Sequence, residues 1–235
     1  MKAFYKIFAI LILSYGFIAA QELSVGADVV SRYIWRGADL GNNNPSIQPT
    51  IELSSGGFAA GFWGAYPMSD PAGLNEIDFY ASYSFSLGKA GDLSIGFTDY
   101  MNPNSGTKIG NFNNYDDAEG PGAHFIELNV GYGGSESFPV SISFNYFLYN
   151  VENNPIYVEL GYSTSVKDVS LDLFLGATPG EDALYYGTDS FNIINLGITA
   201  GKSIKISDSF ELPVFGSVIL NPATEDLFYV IGISL

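Results

Sequence analysis

Nine charged residues sit inside segments that alternate polar and apolar side chains, and their pattern is that of an electrostatic wall. Asp28, Arg32, Arg36, Glu52, Asp78, Glu127, Glu159, Asp172 and Glu211 all fall on the polar parity of their segment. Seven are carboxylates, and the two arginines lie four residues apart at the end of the first segment. Lining an open lumen, they would favour cations, with the arginines forming one positive wall against acids opposite. Packed together, the same residues would form a salt-bridge network that plugs it. Spacing leaves both readings open.

Other groups that could do chemistry are few. His124 is the only histidine and there is no cysteine, so histidine clusters, thiolate metal sites and a lipidated N-terminal Cys are excluded. An outer-membrane phospholipase places its nucleophilic serine two residues after the catalytic histidine, and that position here is Ile126. An omptin-type protease groups lumen acids near an outer-rim histidine. Asp116, Asp117 and Glu119 are near His124 in sequence, but they read as a solvated acidic loop. No catalytic residue, metal or cofactor is expected. The same loop, 113–120, offers oxygen ligands without the EF-hand spacing. Divalent ions bridging it to lipopolysaccharide would be one use, and a mobile acidic loop needs none.

The elements that must position these charges are strands. Ile77, Phe79, Ala81, Tyr83, Phe85 and Leu87 alternate with Asp78, Tyr80, Ser82, Ser84 and Ser86, and Leu227, Tyr229, Ile231, Ile233 and Leu235 share one face of the last segment. This period of two marks strands with two unlike faces. Twelve such segments fall near 22–36, 46–54, 57–66, 76–88, 91–101, 123–132, 138–150, 155–166, 168–178, 190–202, 208–220 and 226–235. Most have the roughly 9–11 residues that a tilted strand needs to cross a bilayer. Short turns alternate with mostly longer connections rich in Asn, Asp, Gly and Pro, the longest being 102–122. The pattern predicts an all-β, transmembrane antiparallel up-and-down barrel of about 12 strands with both termini periplasmic. The apolar parity carries no charge through the middle of any strand, as a hydrocarbon solvent demands. Tyr33, Trp35, Phe58, Tyr66, Tyr132 and Phe138, near strand ends on that parity, are the candidate aromatic girdle.

The first 21 residues read as a signal peptide. Lys2 and Lys6 precede an apolar run from 7 to 20, too short for a membrane-spanning helix, and cleavage falls after Ala20 or Gln21. No later run reaches 18 apolar residues. Residues 22–235 form the barrel. Losing the two lysines takes the formal charge from −16 to −18, which argues against a nucleic-acid partner.

The segment Asp28-Val29-Val30-Ser31-Arg32-Tyr33-Ile34-Trp35-Arg36-Gly37, with Asn44-Pro45-Ser46-Ile47-Gln48-Pro49 after it, resembles the opening of the TorF-type family of porin-like proteins. Gly57-Phe58-Ala59-Ala60-Gly61-Phe62-Trp63-Gly64, Glu76-Ile77-Asp78-Phe79-Tyr80 and Tyr157-Val158-Glu159 resemble later segments of that family. The specific likeness covers about the first third of the mature chain. It implies an outer-membrane channel for passive passage of small hydrophilic solutes or cations, not an enzyme. The partners would be outer-membrane lipid, lipopolysaccharide and the barrel-assembly machinery, although the chain ends in Leu235 where that machinery's clients usually end in Phe. The alternative is a non-conducting barrel acting through its outer loops. On the expected first strand, Tyr33 and Trp35 would anchor at the outer interface, while Arg32 and Arg36 would face Asp78, Glu52 or Asp28.

Overall fold

The computed structural model describes residues 21–70, 73–180 and 185–235. The expected signal peptide lies outside them except for Gln21. Twelve strands form a closed antiparallel barrel: β1 (Glu22–Val30), β4 (Ser46–Ser55), β5 (Phe58–Pro67), β6 (Glu76–Ser86), β7 (Asp92–Met101), β8 (Phe125–Ser135), β9 (Phe138–Tyr149), β10 (Ile156–Val166), β11 (Val169–Thr178), β12 (Asn192–Lys205), β13 (Glu211–Asn221) and β14 (Asp226–Ser234). Each pairs with its neighbour in sequence, and β14 closes on β1 through Asp28↔Ser234, Val29↔Ile233 and Val30↔Gly232. Closure removes the free strand edge that would otherwise leave backbone N–H and C=O groups without partners. A two-stranded hairpin, β2 (Ile34–Trp35) with β3 (Ala38–Asp39), interrupts the connection from β1 to β4.

The expected alternation of connections holds. One end of the barrel carries tight turns, such as Gly56-Gly57, both at positive φ, between the paired residues Ser55 and Phe58. The other end carries the longer ones, including 31–45 and 102–124. At the tight-turn end, Lys202 reaches from the outward face to Asp168 at 2.8 Å and holds that carboxyl below its ordinary value by its hydrogen bond.

The outward face is apolar and exposed: Phe62, Phe85, Ile95, Phe138, Tyr229 and Ile231 are among the most accessible side chains. Phe62, Phe79 and Phe97 pack as a cross-strand ladder with ring centroids 5.2 and 5.7 Å apart. A ten-residue strand tilted about 40° spans roughly 26 Å, the height of a lipid-facing band. Phe58, Tyr66, Tyr132 and Phe138 lie on this face near strand ends, where a girdle would form.

Inside, several aromatic rings lie flat on glycines of the adjacent strand. Phe174 faces Gly197, Tyr80 faces Gly61 and Phe215 faces Gly232 in direct register. A Cβ at Gly197 would stand 2.4 Å from the Phe174 ring and 2.7 Å from the Val218 carbonyl oxygen. Gly197→Val should therefore cost about 1–3 kcal/mol through overpacking. The check is a lower temperature for the heat-induced shift in gel migration. Adding Phe174→Ala should recover part of that loss.

One acid departs from the expected charge pattern. Asp99 pairs with Phe79 and Ile126 on the outward face, at the long-loop end of β7. The 102–124 connection covers it. His124 Nδ1 lies 2.7 Å from Asp99 Oδ2, its Nε2 lies 2.7 Å from the Ile109 carbonyl, and the Phe112 ring stacks on the imidazole at 3.9 Å. Asn150 fastens the loop further by donating to the Gly122 and His124 carbonyls. The lone histidine is thus a structural fastener. Asp99→Ala should leave the imidazole without its buried partner, at about 1–3 kcal/mol. Limited proteolysis should then cut within 102–124 at least tenfold faster.

Candidate functional site

The 15 residues 22–36 do not run as one strand. The chain leaves the wall after Val30, with Ser31 still tied to Ile231 through its N–H and its hydroxyl, and turns into the lumen. Arg36 and Gly37 occupy the two central positions of the hairpin turn, at φ 48° and 77°, between the paired residues Trp35 and Ala38. Positive φ at both positions is the signature of the tight turn whose twist matches a two-stranded ribbon. Gly37 is also held by the wall. Its carbonyl accepts from Asn221 Nδ2 at 3.1 Å, and a Cβ there would stand 1.9 Å from the Ile194 carbonyl oxygen.

At the hairpin tip the Arg36 guanidinium meets Glu127 as a fork, Nη1 to Oε1 at 2.6 Å and Nη2 to Oε2 at 2.8 Å. Nη1 also donates to the Tyr186 hydroxyl at 2.7 Å. The guanidinium is sandwiched between the Trp35 and Tyr157 rings, 4.4 Å from each centroid. Glu127 has no solvent exposure, and its Oε2 also accepts from Tyr100 and Asn129, each at 2.9 Å. Asn129 donates in turn to Asn145, which donates to the Tyr157 carbonyl. Tyr157 donates its hydroxyl to Glu159, and Asn195 donates to both. One hydrogen-bonded network thus ties the hairpin to β7, β8, β9, β10 and β12.

Apolar side chains fill the rest of this level. Phe147 is fully buried and packs on Tyr100 and Tyr185, while Ile194, Tyr157 and Tyr186 form a second buried cluster against Trp35. Val30, Ile219, Phe228 and Val230, with Ile34, Phe174 and Phe215 against them, make a third. The lumen is closed here by side chains. The bidentate pair survives burial because every oxygen of Glu127 and both Arg36 amino groups are bonded, and an unpaired charge here would be costly.

Several expectations from the sequence change. Arg32 and Arg36 do not belong to a strand wall, and neither meets Asp78, Glu52 or Asp28. Arg32 Nε instead lies 3.4 Å from Asp39 Oδ2 within the inserted segment. Tyr33 and Trp35 do not anchor an outer interface. Tyr33 is buried, packs at a tilt against Trp63 with ring centroids 5.3 Å apart and donates to Glu76 at 3.3 Å, and Trp35 packs among Tyr100, Tyr185 and Tyr186. The wall acids stay on the inward parity. Glu52 accepts from Tyr80 at 2.9 Å and Asp172 from Ser163 at 2.7 Å, while Asp28 and Glu211 lie on β1 and β13. Sequence reasoning passes over Tyr100, Tyr186 and Asn129 and gives Tyr157 and Asn145 no role in the site. The inward parity of those on strands is readable, but their convergence on one arginine is not.

Between the hairpin and the long-loop end lies a cavity of about 920 Å³. Trp35, Tyr100, Phe125, Tyr185 and Leu74 line it with Arg32, Asp39 and Glu76. At the other end of the barrel a second hollow, about 240 Å³, is bounded by small polar residues including Ser94, Ser141 and Ser143, and by Glu159. Residues 17–210 match a family described as bacterial proteins of unknown function, designated Gcw_chp. The chain belongs to that family. For this Gcw_chp member the match runs from ahead of β1 to the turn before β13, so it includes the inserted hairpin and its Glu127 partner. No curated protein matches the chain.

Proposed function

We propose that this protein is an outer-membrane channel of porin type, held closed by the β2–β3 hairpin and conducting small hydrophilic solutes or cations when that hairpin withdraws. The observation that carries the reading is the Arg36–Glu127 fork, a buried tether in a lumen whose tight-turn half is polar. In this reading residues 1–21 are a cleaved signal peptide, and the apolar outward face meets lipid and lipopolysaccharide after insertion by the barrel-assembly machinery. The likeness of 28–49 to the TorF-type family supports the same assignment. The reading assigns no catalytic role, and the occupation of the single histidine in fastening a loop supports that.

Cation preference follows from the wall acids. Outside the tether, Asp28, Glu52, Glu159, Asp172 and Glu211 remain on the inward parity, against one base on that parity of the strands, Lys205, in register with Glu211 at the tight-turn end. Carboxylate rings favour cations in a narrow lumen. The test is reversal potential across a planar bilayer under a salt gradient, using a variant whose lumen is open. Cation-favouring reversal is expected, reduced toward zero by Glu52→Gln with Glu159→Gln. Anion-favouring reversal, or recovery of the protein with soluble rather than outer-membrane fractions, would refute the proposal. The non-conducting alternative predicts a silent bilayer even after the hairpin is removed.

A further inference from the structure

We propose that the cavity above the hairpin is a binding site for an organic ammonium ion with an apolar or aromatic body. The first observation is what the cavity lacks. Among the described residues every buried side-chain polar atom without a hydrogen-bond partner is an oxygen, and two of them, Asp39 Oδ1 and Asn102 Oδ1, belong to residues lining this cavity. Both oxygens are covered in this arrangement, and a rotation of either side chain would present an acceptor to a ligand that donates.

The second is charge. Arg36 is consumed by Glu127, and Arg32 reaches Asp39 through one oxygen only. Glu76 lines the cavity with 5% of its surface exposed and makes no ion pair among the described residues. Next on the same inward face of β6, Asp78 is 6% exposed and hydrogen-bonds the Glu76 carboxyl, so the two share a proton and carry one negative charge between them. The remaining buried negative charge has no cation beside it, so this end of the lumen attracts a positive one.

The third is the walls. Trp35, Tyr100, Phe125 and Tyr185 give the cavity aromatic faces, and Leu40 and Leu74 add aliphatic surface. A bare metal ion needs several oxygen ligands in place of its water, and no cluster of three or more acidic, histidine or cysteine side chains able to hold one occurs among the described residues. An ammonium head with a hydrocarbon body suits both parts, donating to the acceptors while its body lies on the rings. A neutral polyol would satisfy the acceptors and leave the charge.

The site does not depend on conduction, so a closed barrel can be tested directly. Trp35 stands in the cavity wall and Trp63 is the only other tryptophan, which makes intrinsic fluorescence of the refolded protein a local reporter. The probe is 2-phenylethylammonium chloride, compared with 2-phenylethanol, phenylacetate and calcium chloride. Saturable quenching at least tenfold tighter for the ammonium than for the alcohol is expected, with none for phenylacetate. Glu76→Gln and Asp39→Asn should each weaken it about tenfold. Leu74→Phe, which narrows the cavity from an exposed position without adding a tryptophan, should abolish saturation while the heat-shifted gel band persists. Equal binding of alcohol and ammonium, calcium displacing the ammonium, or saturation surviving Leu74→Phe would each overturn the proposal. A silent bilayer would count against the channel and leave this result intact.

Discussion

Arg36→Ala should turn a barrel that rarely opens into one that conducts steadily. The substitution removes the guanidinium from between Trp35 and Tyr157 and leaves Glu127, with no solvent exposure, facing a gap. Removing one member of a buried ion pair costs about 3–5 kcal/mol, because the surviving charge is left desolvated. Withdrawal of the hairpin readmits water to Glu127, so the cost falls on the closed arrangement. At about 1.4 kcal/mol per tenfold, the open-to-closed ratio should rise by roughly 10² to 10³ or more. Glu127→Gln should act in the same direction with a smaller effect, since the side-chain amide oxygen it introduces would still accept one hydrogen bond from Arg36. The informative control is the pair Arg36→Met with Glu127→Leu. Replacing a buried ion pair by apolar residues of similar volume is often neutral or stabilising, so this double variant should be closed again. Single-channel recording of these three variants beside the unmodified protein reads the series.

Gly37→Val should release the hairpin by a different route, through sterics alone. The position combines φ of 77° with a Cβ direction that ends 1.9 Å from the Ile194 carbonyl oxygen. A branched residue pays about 1–3 kcal/mol for the left-handed conformation and cannot occupy the space without moving β12 or the hairpin. The hairpin is the softer of the two, since β12 is paired on both sides. The variant should conduct like Arg36→Ala and expose 31–45 to protease while the barrel keeps its heat-shifted migration. Gly56→Val is the matched control. Gly56 also has positive φ, 58°, but nothing lies within 4 Å of its Cβ direction, so only the conformational cost remains and conductance should not change.

The barrel was legible because strand alternation in a closed sheet is a local property. Parity alone places Asp78, Glu127 and Glu159 inside and Phe79, Ile95 and Tyr229 outside, and the structure agrees. The site was legible only in part. Arg36-Gly37 stands out as a motif, but its alternation with Tyr33 and Trp35 reads as more strand. Length holds a warning: 22–36 is 15 residues, beyond the roughly 9–11 that a crossing needs. Once the chain leaves the wall, parity no longer says which way Tyr33 or Trp35 points. Pairings such as Arg36 with Glu127, 91 residues apart, depend on barrel diameter and register, which no local pattern encodes. Asp99 escapes notice as an outward charge because the loop that shields it comes later in the chain.

The most direct measurement is conductance of a barrel from which the hairpin has been excised. Val30 and Ser46 are direct partners in the β1–β4 ladder, so a two-residue Asn-Gly turn can replace residues 31–45 and keep that ladder, losing the Ser31 bonds to Ile231 and the Pro45 bond to Met68. In a planar bilayer the intact protein should show rare, brief openings, and the excised form should show steady openings with cation-favouring reversal under a salt gradient. An excised barrel that folds, as shown by heat-shifted migration, and still passes no current would contradict the claim that this hairpin is what closes the channel.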